Sequence, residues 1–305
     1  MRQPAFGGKE RLLKGALHCH TTRSDGEGDP AEVIRLHHAH GYDFMALTDH
    51  RIYNYRNFTA NVPMTILPGA ECDHPLPHNG VHTFHTVLIG PERGQGNGYA
   101  QDERFPEGAA VADQFAFQPY LDDYHAHGNM TIYCHPEWSG TPAREFDRLA
   151  GIFAMEIFNS GCAMENDLDT NAAYWDELLM QGRRIFGVAV DDGHAMKHHC
   201  RGWVRVRAEN NIPSILEALG EGAFYASCGP EIFDFYIEDG MAVLECSPCA
   251  YAGFRWGHMP SRLTHDKGGG VTRATCKVPE GCPYLRGVVK DAQGRRAWTN
   301  PIFLD

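Results

Sequence analysis

The stretches GALHCHTTRSDG, residues 15–26, and FMALTDH, residues 44–50, decide the reading of the fold, because each is a short apolar run that stops at side chains able to bind metal. Successive side chains of a strand point to opposite faces, so His18 and His20 share a face and can reach one ion while Cys19 points away. The arrangement recurs along the chain. Asp25 lies in the loop after the first run, Asp49 and His50 close FMALTDH, and Glu71 closes ILPGAE. His85 opens HTVLIG, His135 lies in TIYCHPE, and Asp192 and His194 follow RRIFGVAV.

Between these runs lie amphipathic segments, which is the pattern of strand–helix units around a parallel sheet. The predicted strands are Gly15–His20, Phe44–Thr48, Thr65–Glu71, Thr83–Ile89, Met130–Cys134, Ile152–Phe158, Ile185–Val190 and Trp203–Arg207. Helices are predicted over Pro30–His40, closed by Gly41, and Gln118–His127, closed by Gly128. Seven or eight parallel strands without a dinucleotide-binding glycine fingerprint suggest a barrel, whose chemistry gathers at the carboxyl ends of the strands. The Gly- and acid-rich stretch 90–117 reads as a mobile lid or an ordered insertion, and its GQGNG run opens no helix of the kind that cradles phosphate. After residue 229 the character changes to short alternating strands with Asp-Gly and Gln-Gly hairpin signals. The expected division is thus a catalytic barrel over 1–229 and a small β-sandwich-like domain over 230–305.

A net charge of −12 argues against a long nucleic-acid partner, because such binding runs on surplus Lys and Arg. A small-molecule substrate fits better. The N-terminal MRQPAFGGKERLLKG has no apolar leader and no run is long enough to cross a bilayer, so no membrane association and a cytoplasmic location are expected. The ten cysteines are then expected as reduced core residues, although Cys246 and Cys249, with Cys276 and Cys282 further on, leave a structural zinc site open as the lesser alternative. Nothing in the sequence assigns an oligomeric state.

Each candidate has a plainer reading beside the chemical one. His85, with His82 nearby, is a ligand or a half-buried strand residue; Asp49 is a helix cap or a partner that orients a ligating imidazole. Glu71 caps a turn or bridges two cations. Glu156, inside the apolar run IFAMEIFN, needs a partner if buried, so it contacts a ligand, the substrate or a polar network beside the site.

Taken in order, H-C-H, S-D-G, T-D-H, G-A-E, a His before an apolar strand, C-H-P-E and D-D-G-H closely resemble the polymerase and histidinol phosphatase (PHP) superfamily of metal-dependent hydrolases over roughly residues 12–230. The resemblance implies an α/β fold, a distorted (β/α)7 barrel, and two or three divalent ions, Mn, Fe or Zn. It implies His18, His20, Glu71 and Asp192 around one ion, Glu71, His85 and His135 around a second, and Asp25, His50 and His194 around a third. The expected activity is that of a phosphoesterase acting on a small phosphorylated metabolite or short nucleotide through a metal-bridging hydroxide. Arg51, Arg144, Lys197, His199 and Arg201, in loops just after the ligand motifs, are the candidate phosphate contacts. A carbamate, amide or carboxylic ester hydrolase with the same ions is the alternative, and a non-catalytic metal-stabilised binding protein is the third.

Overall fold

The strand Leu12–Ala16 is the seam of the molecule, running parallel to Phe44–Ala46 on one side and antiparallel to Trp203–Arg207 on the other. The computed structural model describes residues 2–7, 10–77, 81–94, 97–168, 170–257 and 261–304. From the seam a ring of strands proceeds through Phe44–Ala46, Thr65–Leu67 with its continuation Gly69–Pro75, Thr83–Ile89, Met130–Tyr133, Ile152–Asn159 and Phe186–Val190. Pro68 interrupts the third strand because it has no N–H for the ladder. The ring closes at its carboxyl end, where Cys19 and Gly193 form a parallel bridge and Asp192 N–H donates to His18 O at 3.0 Å.

Inside the ring, Leu13, Leu17, Phe44, Leu67, Val87, Ile132, Ala154 and Val188 form a dry core. The strand Trp203–Arg207 and the helix Ile212–Gly220 add Val204, Val206, Ile215 and Leu219 to it. Gly15 is needed there, because a Cβ at that position would lie 1.9 Å from the Phe44 ring.

The α/β class is observed, whereas the regular (β/α)7 scheme of parallel strands is not. Thr83–Ile89 runs antiparallel to both its neighbours, and Trp203–Arg207 is antiparallel to Leu12–Ala16. Only residues 76–82 separate Gly69–Pro75 from Thr83–Ile89, too few for the crossover a parallel pair needs. No helix joins Phe44–Ala46 to Thr65–Leu67. Arg51, Phe58, Thr59 and Asn61 there all have positive φ, which breaks helical continuity. Helices do form where the caps are strong. Asp29 accepts from Ala31 N–H at the start of Pro30–Ala39, and Asp113 caps Gln114–Ala126, which begins four residues before the predicted start.

The Asp239–Gly240 turn joins Ile232–Glu238 to Met241–Cys249 in a tight hairpin, both turn residues having positive φ. These strands form a four-stranded sheet with Val271–Lys277 and with Arg2–Pro4 at its edge. Phe6, Phe235, Leu244, Phe254, Leu285 and Val289 fill the space between this sheet and the strands Tyr251–Arg255 and Tyr284–Lys290. The second layer is continuous with the sheet that holds Leu12–Ala16, because Arg296–Thr299 pairs with Phe224–Ser227. Residues 2–4 therefore pair with strands of the C-terminal part. A buried ion pair, Arg286 Nη2 to Asp176 Oδ2 at 2.6 Å, joins the helix Ala172–Met180 to the same layer.

Cys246, Cys249, Cys276 and Cys282 are buried core residues, and among the described residues no metal-competent group includes them. The stretch 97–113 is tied to residues 51–75 through Tyr53 N–H to Glu103 O, Phe105 N–H to Arg51 O and Val111 N–H to Pro75 O, each 2.9–3.0 Å, as an ordered insertion. Gln95 and Gly96 of the GQGNG run lie outside the described residues.

Candidate metal centre

Backbone hydrogen bonds lace the strand ends that carry the candidate ligands. Thr48 N–H donates to Cys19 O, Glu71 N–H to Thr48 O, and Cys134 N–H to His85 O, all within 3.1 Å. Side chains distant in sequence are thereby brought together. Ligand-capable atoms of His18, His20, Glu71 and Asp192 lie within 4.8 Å of one another, as do those of Glu71, His85 and His135, and those of His20, Asp25, His50 and His194. The nine candidates thus converge in the three groups that the resemblance implied, with His20 shared between two of them.

Glu71 is at the middle and almost wholly buried. Its Oε1 lies 2.8 Å from His85 Nδ1 and 3.5 Å from His135 Nε2. Its Oε2 lies 3.1–3.4 Å from His50 Nδ1, His20 Nε2 and His18 Nε2. Despite this crowding, Glu71 Oε2, Asp192 Oδ1 and His50 Nδ1 are buried without a hydrogen-bond partner. His18 Nε2 and His20 Nε2 face each other at 3.1 Å. Lone pairs aimed at one another across a few ångströms are the arrangement that a shared cation satisfies. Nitrogen and oxygen donors with an adjoining open cavity suit Mn, Fe or Zn, so the residues fit the ions.

The ion-free electrostatics express the same demand. Burial disfavours charge throughout, yet Asp192 and Glu71 push the His20 pKa up to about 9 and, with Glu156, hold His18 well above its usual range. Burial would raise Glu71 and Asp192 too, but the surrounding imidazoles, His18 foremost, hold both well below the ordinary carboxylate range. His135 and Asp192 also carry positive φ, 22° and 46°. Strained backbone of this kind persists where surrounding structure over-determines it, and both cases fall on candidate ligands.

A supporting layer holds the rings. Glu156, wholly buried, places Oε1 2.6 Å from His18 Nδ1, while Oε2 accepts from His135 N–H at 3.0 Å and from Asn159 Nδ2 at 2.9 Å. It faces the ligands from behind, away from any substrate, because a carboxylate inside an apolar strand finds its partners in the neighbouring imidazole and backbone. Asp49 accepts from Thr21 N–H, Thr21 Oγ1 and Ser24 Oγ, and Ser24 Oγ in turn lies 3.3 Å from His20 Nδ1. Asp49 therefore acts on the imidazole through Ser24 and not by direct contact. Ser139 Oγ lies 3.1 Å from His135 Nδ1.

Beside the cluster opens a cavity of about 280 Å³, lined by Asp25, His50, Glu71, His85, His135 and Asp192 together with Trp138, Cys162, Glu165 and Asn166. The expected basic contacts are elsewhere. Arg51 turns to Asp73 at 2.5 Å, and Arg144 is 78% exposed beside Glu145. Arg201 donates to Lys197 O in a separate surface cavity with Lys14 and Arg295, and His199 is buried behind Gly193. Among the described residues no Lys or Arg lines the metal cavity, and Lys197 is exposed outside it. Closeness in sequence to a ligand motif does not fix direction; the positive φ of Arg51, 57°, carries its side chain away from the cavity.

Trp138, Asn159, Glu165 and Asn166 were missed. Asn159 ends the strand Ile152–Asn159 and bonds Glu156 and Asp192, so the strand-end pattern that marks the candidate ligands applies to it as well. Glu165 and Asn166 sit on a short helix, Ser160–Asn166, for which the sequence carries no ligand spacing.

No protein-family model and no curated protein sequence matches the chain. Among solved structures, it is similar to a two-domain protein from Bacteroides vulgatus containing a predicted PHP-like metal-dependent phosphoesterase, at 14% identity over 97% of this chain and 100% of that one, TM-score 0.49. It is also similar to a protein from Bifidobacterium adolescentis named as a metal-dependent phosphoesterase, at 12% identity over 68% and 96%, TM-score 0.44. A third is an amidohydrolase from Chromobacterium violaceum with bound sulfate and no metal, at 16% identity over 60% and 88%, TM-score 0.41. Among the described residues, no helix is long and apolar enough to cross a membrane.

Proposed function

We propose that the chain is a metal-dependent hydrolase of the PHP type that cleaves phosphoesters of small molecules. The observation that carries this reading is the placement of Glu71, whose carboxylate faces the imidazoles of His18, His20, His50, His85 and His135 at 2.8–3.5 Å beside an open cavity. His18, His20, Glu71 and Asp192 would hold one ion, Glu71, His85 and His135 a second, and Asp25, His50 and His194, with His20 near, a third. Such ions supply, when bound, an activated water near neutral pH and fixed positive charge opposite the oxygens of the bond that breaks.

The chain's own residues preorganise this centre. Glu156 keeps the His18 ring proton on Nδ1, leaving Nε2 free to face the cluster. Asn159 holds Glu156 and Asp192 in one line through its amide. Trp138 stands edge-on to His85 and His135, with ring centroids 5.7 and 4.9 Å away, and narrows water access on that side. Free cysteines throughout suit a reducing compartment, and we place the reaction in the cytoplasm.

The second reading is hydrolysis of a carbamate, amide or carboxylic ester. The bare wall favours it: a carbonyl substrate carries less negative charge than a phosphoryl group and needs no side-chain cation, and no Lys or Arg is among the described lining residues. Turnover of the Mn- or Zn-loaded protein on matched panels of phosphate esters and carbonyl esters or amides separates the two. Phosphate release abolished by Glu71→Gln supports the first; carbonyl cleavage alone supports the second; no turnover on either panel refutes both.

A further inference from the structure

Beyond the main cluster the structure buries a second set of donors. Asp191 and Asp192 are consecutive, and they serve opposite sides of the strand end: Asp192 joins the metal centre while Asp191 faces the helix Pro30–Ala39. Asp191 Oδ2 lies 3.2 Å from His37 Nε2. His199 packs edge-on to His37 with ring centroids 5.3 Å apart. Donor atoms of His37, Asp191 and His199 all lie within 4.8 Å of one another, and the residues are 0%, 0% and 5% exposed.

Three details go beyond coincidence of packing. His37 Nδ1 is 2.8 Å from Val33 O, which fixes the ring's orientation so that Nε2 is the nitrogen facing Asp191. The Asp191 carboxylate is held in place by the backbone N–H groups of Cys200, Arg201 and Gly202 at 2.7–2.8 Å. Both ring nitrogens of His199 are buried with no hydrogen-bond partner. A ring oriented by a backbone carbonyl and a hydrogen-bonded carboxylate are the outer contacts that metal ligands ordinarily have. A His37 imidazolium paired with Asp191 would satisfy that one contact and leave both His199 nitrogens empty. A cation takes one His199 nitrogen together with His37 Nε2 and Asp191 Oδ2. Gly193 makes room for the arrangement, since a Cβ there would fall 2.3 Å from His199 Nδ1.

We propose that His37, Asp191 and His199 form a separate divalent-cation site, suited to zinc, on the outer side of the strand ends. Two imidazoles and one carboxylate in a dry setting match zinc's ligand preferences. An ion there clamps the helix Pro30–Ala39 to the 191–202 segment, which also carries Asp192 and His194. The site does not depend on the hydrolase reading, because it shares no residue with the main cluster.

The test uses the full chain, stripped with chelator, reloaded with zinc alone, dialysed and analysed for metal. Wild type is expected to retain one molar equivalent more than His199→Gln, His199→Cys to recover that equivalent, and Glu71→Gln to keep it while losing zinc from the main cluster. Zinc-edge anomalous diffraction from the unmodified protein should show a peak between His37 Nε2, Asp191 Oδ2 and the His199 ring, and this result needs no variant to fold. Equal zinc in wild type and His199→Gln, or an anomalous map with no peak beside His37, overturns the proposal.

Discussion

Replacing Glu156 by Gln keeps the side chain's shape and removes its charge. In the native chain one oxygen lies 2.6 Å from His18 Nδ1 and the other accepts from His135 N–H and Asn159 Nδ2. A glutamine has a single acceptor oxygen. If that oxygen faces His18, its NH2 meets two donors, the His135 N–H and the Asn159 amide. If the amide is turned round, its NH2 meets His18 Nδ1, and the ring proton must move to Nε2, the nitrogen that faces Glu71 and Asp192. Each buried group left without a partner costs about 1–3 kcal/mol, and losing the support behind a ligating imidazole weakens metal binding about 10–100-fold. Glu156→Gln should therefore bind Mn2+ or Zn2+ about 10–100-fold more weakly, measured by competition with a chromophoric chelator, with urea unfolding of the metal-free protein run in parallel. Unchanged affinity would refute the reasoning. Lost stability with full affinity would reduce Glu156 to a packing residue.

Metal uptake should expel protons. His20, held up to about 9, is protonated in the ion-free chain at neutral pH, so calorimetry in buffers of different ionisation enthalpy should show proton release, and affinity should fall as pH falls. The sign for stability is opposite. A raised imidazole stabilises the metal-free fold fully below its unfolded pKa of about 6.5 and loses that contribution as pH rises towards 9, so Tm in chelator should decline across this window. Arg286→Met should cost about 3–5 kcal/mol in urea unfolding by leaving buried Asp176 with, among the described residues, only Tyr284 Oη as side-chain partner, whereas replacing both Arg286 and Asp176 by apolar residues should be much milder. Arg144→Ala and Lys197→Ala should each leave kcat/KM within about 2-fold of wild type, since exposed charges away from the cavity contribute little; a tenfold loss would restore them as substrate contacts.

The candidate ligands were legible because a strand end is a local event: an apolar run followed by His, Asp or Glu is visible within a few residues, as at FMALTDH. Strand direction was not, since it is decided by connection length and pairing, and Thr83–Ile89 has the same composition whichever way it runs. The supporting contacts were hidden for a different reason. His18 and Glu156 are separated by 138 positions, and only the closed ring places them 2.6 Å apart. The basic residues failed because loop geometry governs direction, as the turn at Arg51 shows. Glu156 was half legible: its burial demanded a partner, and the partner's identity needed the fold.

The pairing of Arg2–Pro4 with Ile232–Glu238, and of Phe224–Ser227 with Arg296–Thr299, bears on biosynthesis. Arg2–Pro4 leaves the ribosome more than two hundred residues before its neighbour exists, and Phe224–Ser227 waits with one open edge until Arg296–Thr299 has been translated. Through that interval the nascent polypeptide presents unpaired backbone to any passing strand, so chaperone demand and self-association should fall once Arg296–Thr299 has emerged.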